Sequence, residues 1–328
     1  MKQSLAFADL FILNSGLLIY TPLFLKPLVG LLITIPTRYR RWRISRYIKP
    51  LFEDRLRHLQ HPPERDSKYI EPTDTLQLMI KHALENAPER LSLGEISDRL
   101  CLANLASFHQ TAVAISNVLI NVAASNAEFN TADVLRREMA AVLSAHDDVF
   151  GRAAAARMVH ADSVLRETLR THAFGARAMI RKVVAEAGVV TPDGHVLPRG
   201  STLSVVSYPV HHDPDIYPDP DKFDPFRFSR MRGADPGSDR VDGGGADNPS
   251  LSFASTGAAY LPFGHGKHAC PGRFLVDLEM KMLLYRILTN YDVELLPEHN
   301  GVRPKSKWVT EAVMPTVGVK LKFRRRKG

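Results

Sequence analysis

Cysteine is nearly absent from this chain of 328 residues: Cys101 and Cys270 are the only two. Two thiols, one of them given separate chemistry below, make no disulfide framework and fit a reducing compartment. No Gly-x-Gly-x-x-Gly stands in a strand–helix–strand setting, which removes a flavin or nicotinamide domain. No basic run is interleaved with aromatics as base stacking requires, so nucleic acid is not an expected partner, and Arg324 to Lys327 reads as a solvated tail. Internal repeats are lacking too. Acid is outnumbered: the net charge of +8 favours docking to an acidic protein or an anionic membrane surface. What is present in ordinary measure is apolar content, 45%, enough for a globular core. The length allows one large domain or two ordinary ones.

Long apolar runs are confined to the N-terminal region. Leu10 to Pro36 carries Lys26 as its single charge, and Arg38, Arg40, Arg41, Arg43 and Arg46 follow. Length and flanking charge allow a spanning helix with the bulk of the chain cytosolic. Asn14-Ser15-Gly16, Pro22 and Lys26-Pro27 interrupt the run as loop and helix-stop signals do, which favours a buried or monotopic segment. Residues 36–61 read as a basic helix ended by Pro62 and Pro63, and residues 74–87 as a short helix. The longest helical run opens at Leu93 and continues past Val122; its mostly uncharged middle predicts burial on several faces. Helices are expected over 131–145 and 151–171, then strands over 179–184, 189–190 and 202–206, with Asp193-Gly194 as a turn. Residues 233–257, rich in Gly, Asp and Ser, read as a mobile insertion loop and not as a domain boundary. Near the end Val317, Val319, Leu321 and Phe323 alternate with polar or small residues as a half-buried strand does. The fold class is mainly α with a small β part.

Chemistry concentrates around Cys270. It lies in Leu261-Pro-Phe-Gly-His-Gly-Lys-His-Ala-Cys-Pro-Gly-Arg-Phe274, a stretch whose Gly264, Gly266 and Gly272 describe a tight loop around one sulfur. An apolar, helix-period segment follows at once: Phe274, Leu275, Leu278, Met282 and Leu283. A helix start aimed at a sulfur favours thiolate over thiol and offers a metal one axial ligand. A small site of His265, His268 and Cys270 is the alternative, but a closed zinc site takes four ligands, and no second cysteine is near. A lone cysteine is otherwise a small buried hydrophobe.

The spacing Phe263-x-x-Gly266-x-His268-x-Cys270-x-Gly272 resembles the haem-binding signature of the cytochrome P450 family. Two further motifs in the family's order carry the resemblance. Glu167-Thr-Leu-Arg170 resembles its Glu-x-x-Arg pair, whose side chains share a helix face. Asp224-Pro-Phe-Arg-Phe228 resembles the later motif whose arginine, here Arg227, completes a buried charge triad with Glu167 and Arg170. An exposed Glu–Arg pair alone would contribute only about 0.3–0.5 kcal/mol.

The resemblance covers most of the chain and implies the P450 fold over residues 1–328, lacking the family's N-terminal portion: membrane anchor, first helices and strands, and an arginine-type propionate contact. Arg38 to Leu59 then resembles the long helix over the haem pocket, and the apolar stretch before it the preceding helix and a loop that dips towards the membrane. It implies haem b held axially by Cys270, with Phe263, Gly264 and His268 around it and His268 at a propionate. Ala106-Ser-Phe-His-Gln-Thr111 stands where the family activates oxygen. Ala106 and Ser107 match its small pair, whereas His109 and Gln110 replace its acid and threonine, and Thr111 follows one residue late. Histidine can carry protons near neutral pH and Thr111 can supply a hydroxyl; a polar patch with Thr111 bonded back to a carbonyl is the alternative.

Substrate contacts are implied at Phe108, in the turn at Phe174 and around Thr310, mostly apolar or small, as suits a lipophilic substrate. The implied activity is monooxygenation of a small lipophilic metabolite, as in fungal secondary-metabolism members acting on terpenoid-type compounds. Dioxygen and electrons from a separate NADPH–cytochrome P450 reductase are its co-reactants, at the cytosolic face of the endoplasmic reticulum membrane. Two rivals remain: a non-catalytic fragment that does not retain haem, and a haem-thiolate isomerase, dehydratase or peroxygenase, suggested by His109 and Gln110.

Overall fold

The computed structural model describes residues 2–62, 69–236, 249–309, 311–315 and 318–326. They form two compact units, residues 1–110 and 111–328. Both are mainly helical, and a small β part lies in the second.

In the first unit, helix α1 (Lys2–Tyr20) turns at Pro22 and returns as α2 (Lys26–Gln60). Contacts between residues 3 and 40, and between 14 and 33 or 37, make the pair an antiparallel hairpin. The sequence signals are corrected here. Asn14, Ser15 and Gly16 do not break α1: Asn14 is buried and donates to the Ile33 carbonyl at 3.0 Å and to Thr37 Oγ1 at 2.9 Å, and Ser15 bonds back to Phe11 O. Polar side chains with partners across the hairpin cost the helix little. Pro27 starts α2 instead of stopping the chain, because a first-turn proline has no hydrogen bond to lose. The helix expected from residue 36 therefore begins at Lys26 and carries Pro36 and Pro50 inside it.

Helix α3 (Thr75–Asn86) follows, capped by Asp74, whose Oδ1 accepts from Gln77 N at 3.0 Å. The core of this unit gathers Phe7, Ile44, Ile48, Phe52, Ile80 and Ile96. The long helix α4 (Leu93–Phe129) begins here and crosses into the second unit. Its middle departs from expectation: Leu102 and Phe108 are about half exposed, so it is not buried on several faces. Each end of α4 packs into the core of its own unit, Ile96 and Cys101 at one end and Val118, Leu119 and Val122 at the other.

In the second unit α5 (Thr131–Ser144), α6 (Arg152–Arg157) and α7 (Val159–Thr171) lead into the strands β1 (Arg177–Lys182), β2 (Val189–Val190), β3 (Val196–Leu197) and β4 (Thr202–Val206). Strand β1 pairs antiparallel with β4, and β2 with β3 across the Asp193-Gly194 turn. The short helices α8 (Ser207–His211) and α9 (Arg227–Met231) precede α10 (Arg273–Asn290). At the end, β5 (Tyr291–Leu295), β6 (Lys307–Val309), β7 (Ala312–Met314) and β8 (Leu321–Arg325) pair as β5–β8 and β6–β7, both antiparallel. Residue 317 of the expected terminal strand lies outside the described residues, and the strand itself begins at Leu321. Of the loop expected over 233–257, residues 237–248 also lie outside them. Its far end is anchored: Phe253 is fully buried, and its N–H donates to Asp162 Oδ2 at 2.8 Å. The core packs Leu135, Met139, Met158 and Leu165 against Phe226, Phe253, Tyr260, Met280 and Leu284, binding α5, α7 and α10 together.

Candidate functional site

Helix α7 supplies the first part of the site. Burial of nearly all of its surface makes polar residues on it costly unless paired, and its two central charges are paired. Glu167 and Arg170, one turn apart, meet in a bidentate pair: Arg170 Nε and Nη2 donate to Oε2 and Oε1, each at 2.8 Å, with both side chains fully buried. Arg227, at the start of α9, donates from Nε to Glu167 Oε1 at 3.1 Å and from Nη1 to the Pro218 carbonyl at 2.6 Å. The three motif residues that the sequence separates by 60 positions thus form one cluster.

The Cys270 loop is built by its backbone. Cys270 N donates to the Phe263 carbonyl at 2.8 Å, closing the loop across Gly264 and Gly266, both at φ +69°. That left-handed conformation is the one a glycine adopts without strain. The Phe263 ring meets the buried Phe253 edge-on at 5.2 Å. Cys270 is a free, partly exposed thiol three residues before α10, and a side chain at Gly272 would stand 3.8 Å from its Sγ. Arg273, first in α10, returns a hydrogen bond to the Cys270 carbonyl at 2.8 Å. His268 is exposed in the one-turn helix of residues 266–268, and His265 reaches Thr256 Oγ1 at 3.1 Å. Among the described residues no three His, Cys, Asp or Glu side chains group as metal ligands.

Loop and triad are joined by His211, which the sequence reading passed over. Its Nε2 accepts the Leu261 N–H at 3.0 Å, and its carbonyl accepts from Arg170 Nη1 at 2.5 Å. Burial, reinforced by the Arg170 charge, lowers its pKa to about 3, so the ring is neutral with its proton on Nδ1. A second link was also missed. Lys281 of α10 donates to Asp162 Oδ1 of α7 at 2.6 Å, to the Ala155 carbonyl at 3.2 Å, and lies 2.8 Å from Asp277. Burial opposes its charge, but the two carboxylates outweigh that and hold its pKa above the usual lysine value. The helix that follows Cys270 is thereby bolted to the helix that carries Glu167. Nothing local in the sequence marks either link, since each joins residues 50 or more positions apart.

Other expected residues are placed more loosely. His109, Gln110 and Thr111 follow one another on α4; His109 Nε2 lies 3.6 Å from Asp9 Oδ1, Gln110 is exposed and Thr111 half-buried. Phe108 is half exposed. Phe174 is 42% exposed, and its carbonyl accepts from Val313 N at 2.9 Å while Ala176 N donates to Glu311 O at 2.8 Å. The Phe174 turn is thus stitched to the β6–β7 hairpin; Thr310 lies outside the described residues. Behind that hairpin Arg303 donates to Asn121 Oδ1 at 2.5 Å and to Asn117 Oδ1 at 2.7 Å, and Asn121 in turn donates to Thr168 Oγ1 at 3.1 Å. Burial pulls the Arg303 pKa down to about 10.

Comparison with known proteins matches the cytochrome P450 family model over residues 12–323. The chain is 40% identical over 323 residues to the cytochrome P450 monooxygenase pbrC of Penicillium brasilianum, a match covering 97% of this chain and 59% of that protein. To astC of Aspergillus terreus, also a cytochrome P450 monooxygenase, it is 38% identical over 321 residues, again 97% and 59%. To tenB of Beauveria bassiana it is 36% identical over 316 residues, 93% of this chain and 56% of the relative. The chain spans about three-fifths of the length of these curated relatives.

Proposed function

Since this chain belongs to the cytochrome P450 family, we propose that it works as a haem-thiolate monooxygenase on a small lipophilic metabolite. The family's prosthetic group is haem b. The residues present fit it: a free, partly exposed thiol on a glycine-shaped loop, ahead of a helix start, is the kind of donor that a haem thiolate would need. Cys270 would be that ligand, with Phe263 and Gly264 beside it and His268 at a propionate. Bound haem supplies oxygen activation, which a thiolate ligand strengthens by pushing electron density towards O–O cleavage.

The chain's own residues position and exclude. Glu167, Arg170 and Arg227 hold α7 and the segment after it in one geometry, and His211 passes that geometry to Leu261 at the start of the loop. His109, Gln110 and Thr111 handle protons: the imidazole ring passes one on, the amide orients a water, and the Thr111 hydroxyl completes the relay. By the family resemblance Phe108, Phe174 and Thr310 would be the substrate contacts, apolar or small residue types in keeping with the terpenoid-type compounds of fungal secondary metabolism. Dioxygen is the co-substrate, and an NADPH–cytochrome P450 reductase supplies electrons.

The apolar α1–α2 hairpin supports a membrane-facing position, on the cytosolic face of the endoplasmic reticulum. Its turn carries Leu23 and Phe24, 82% and 80% exposed, and soluble surfaces do not gather such residues into one patch. Helix α1 is also long and apolar enough to cross a membrane by length and composition.

The observation that carries this reading is the joining of the Cys270 loop to the buried triad through His211. Product formation from lipophilic candidates, with NADPH and reductase against peroxide alone, tests it. Reductase-dependent hydroxylation is the expected result. Product with peroxide only favours a peroxygenase, as His109 and Gln110 in the oxygen-activating segment suggest; product with neither contradicts a monooxygenase.

A further inference from the structure

The outer side of α2 continues beyond its apolar turn as a stripe of a different character. Leu28, Leu31, Ile35, Tyr39, Trp42 and Arg46 follow at helical spacing, and each is exposed. At about 100° per residue they fall within about 40° of one line, with Arg38 and Arg43 flanking it. The opposite side holds the buried Ile44, Ile48 and Phe52, and two neighbouring arginines are engaged there: Arg41 with Asp98 at 2.8 Å and Arg40 with Gln3 at 2.8 Å. Arg38, Arg43 and Arg46 have no carboxylate partner among the described residues. Arg46 instead lies 5.4 Å from the Trp42 ring, and Arg43 6.0 Å from that of Tyr39.

No Asp or Glu occurs from Leu10 to Phe52. An apolar end, then exposed Tyr39 and Trp42 set among arginines without a carboxylate partner (Arg38 just before them, Arg43 and Arg46 after), is what a membrane interface meets from the hydrocarbon outwards. Lys26, beside the turn, keeps that end out of the bilayer centre, where an ammonium is costly. A second copy is a poor occupant, since it would bring one arginine band against another.

We propose that this face of α2 docks on anionic phospholipid, with Arg38, Arg43 and Arg46 meeting the headgroup charge and Tyr39 and Trp42 seated at the interface. The inference rests on the membrane reading above and adds to it a lipid selectivity and the residues that carry it. A cation close to an anionic leaflet is worth about fivefold in partitioning, and three act together here.

The test is flotation of the full chain with vesicles of phosphatidylcholine alone and of phosphatidylcholine containing phosphatidylserine. The expected result is binding to both, stronger to the anionic vesicles by about two orders of magnitude and weakened by salt. Arg38→Gln/Arg43→Gln/Arg46→Gln removes that preference while binding to neutral vesicles stays. A control with the same charge change in the second unit, Arg137→Gln/Lys320→Gln/Arg325→Gln, keeps it. Circular dichroism checks that both variants remain helical, as substitutions at these positions should. Equal binding of the parent chain to both vesicles, or equal loss in the control, overturns the lipid selectivity and leaves the membrane reading standing. Binding to neither vesicle overturns both.

Discussion

His211 Nε2 accepts the Leu261 N–H over 3.0 Å, and both residues are buried. Through the His211 carbonyl the same residue accepts from Arg170, so the charge triad and the cysteine loop share one neutral imidazole as their joint. A buried N–H left without an acceptor costs about 1–3 kcal/mol. His211→Leu keeps the side-chain bulk and removes the acceptor. It is expected to lower unfolding stability by that amount and to loosen the loop, read by denaturant titration and by faster amide exchange at Leu261.

The same histidine makes stability depend on pH. In the folded protein its pKa is lowered to about 3, by burial first and the Arg170 charge second, from the usual value of 6.5. Between those values the unfolded chain binds a proton that the folded chain refuses, so stability falls as pH is lowered from about 6.5 towards 3. His160, lowered to about 4 by burial, adds to that slope. Glu138, raised to about 7 by burial, opposes it above 4.5. Comparing the parent with His211→Leu isolates one contribution: the variant should lose less stability between neutral and acid pH, and an unchanged slope would count against a neutral buried His211.

Glu167→Ala leaves Arg170 buried with its carboxylate gone. Removing one partner of a buried pair costs about 3–5 kcal/mol, and the variant should fail to take up haem and not merely turn over slowly. Pyridine-haemochrome assay of the purified variant reads this. Normal haem content would end the structural assignment of the triad.

Lys281→Met tests the second bolt between α10 and α7. It strands Asp277, which faces the lysine at 2.8 Å, and takes from Asp162 the cation at 2.6 Å while leaving it Arg232 at 3.0 Å. The expected loss is again about 3–5 kcal/mol. It should shrink in Lys281→Met/Asp277→Leu, where Asp162 still pairs with Arg232 at 3.0 Å and accepts the Phe253 N–H; thermal melts of the two variants distinguish an ionic cluster from simple loss of packing.

Arg303 and Asn121 should be energetically coupled. The guanidinium spans two asparagines of α4, and hydrogen bonds to a charged group are worth about 1.5–3 kcal/mol each. A double-mutant cycle of Arg303→Leu and Asn121→Leu is expected to give a coupling energy of at least about 1 kcal/mol; additivity would mean that the two act separately.

What could be read from the chain followed what residue types alone can say. Cys270 with its glycines, Glu167 one turn from Arg170, and Arg227 after Asp224-Pro are local patterns, and the structure brings the last three together as the family resemblance implies. Helix α3 was legible within a residue at each end, and the run from Leu93 at its start. Proline and small polar residues misled at Asn14 and Pro27, because their partners lie across a hairpin or their missing hydrogen bond falls in a first turn. His211, Lys281 and Arg303 were invisible for a related reason: their roles exist only through contacts 50 to 186 residues away. The pairings of β5 with β8 and β6 with β7 belong to the same class.

The central claim is that Cys270 is the axial ligand of haem b. The most direct measurement is the reduced, carbon-monoxide difference spectrum of the purified chain reconstituted with haem b, beside Cys270→Ala. The account predicts a thiolate-type Soret band in the parent that is lost in the variant. A chain that takes up no haem, or a spectrum that Cys270→Ala leaves unchanged, would contradict it.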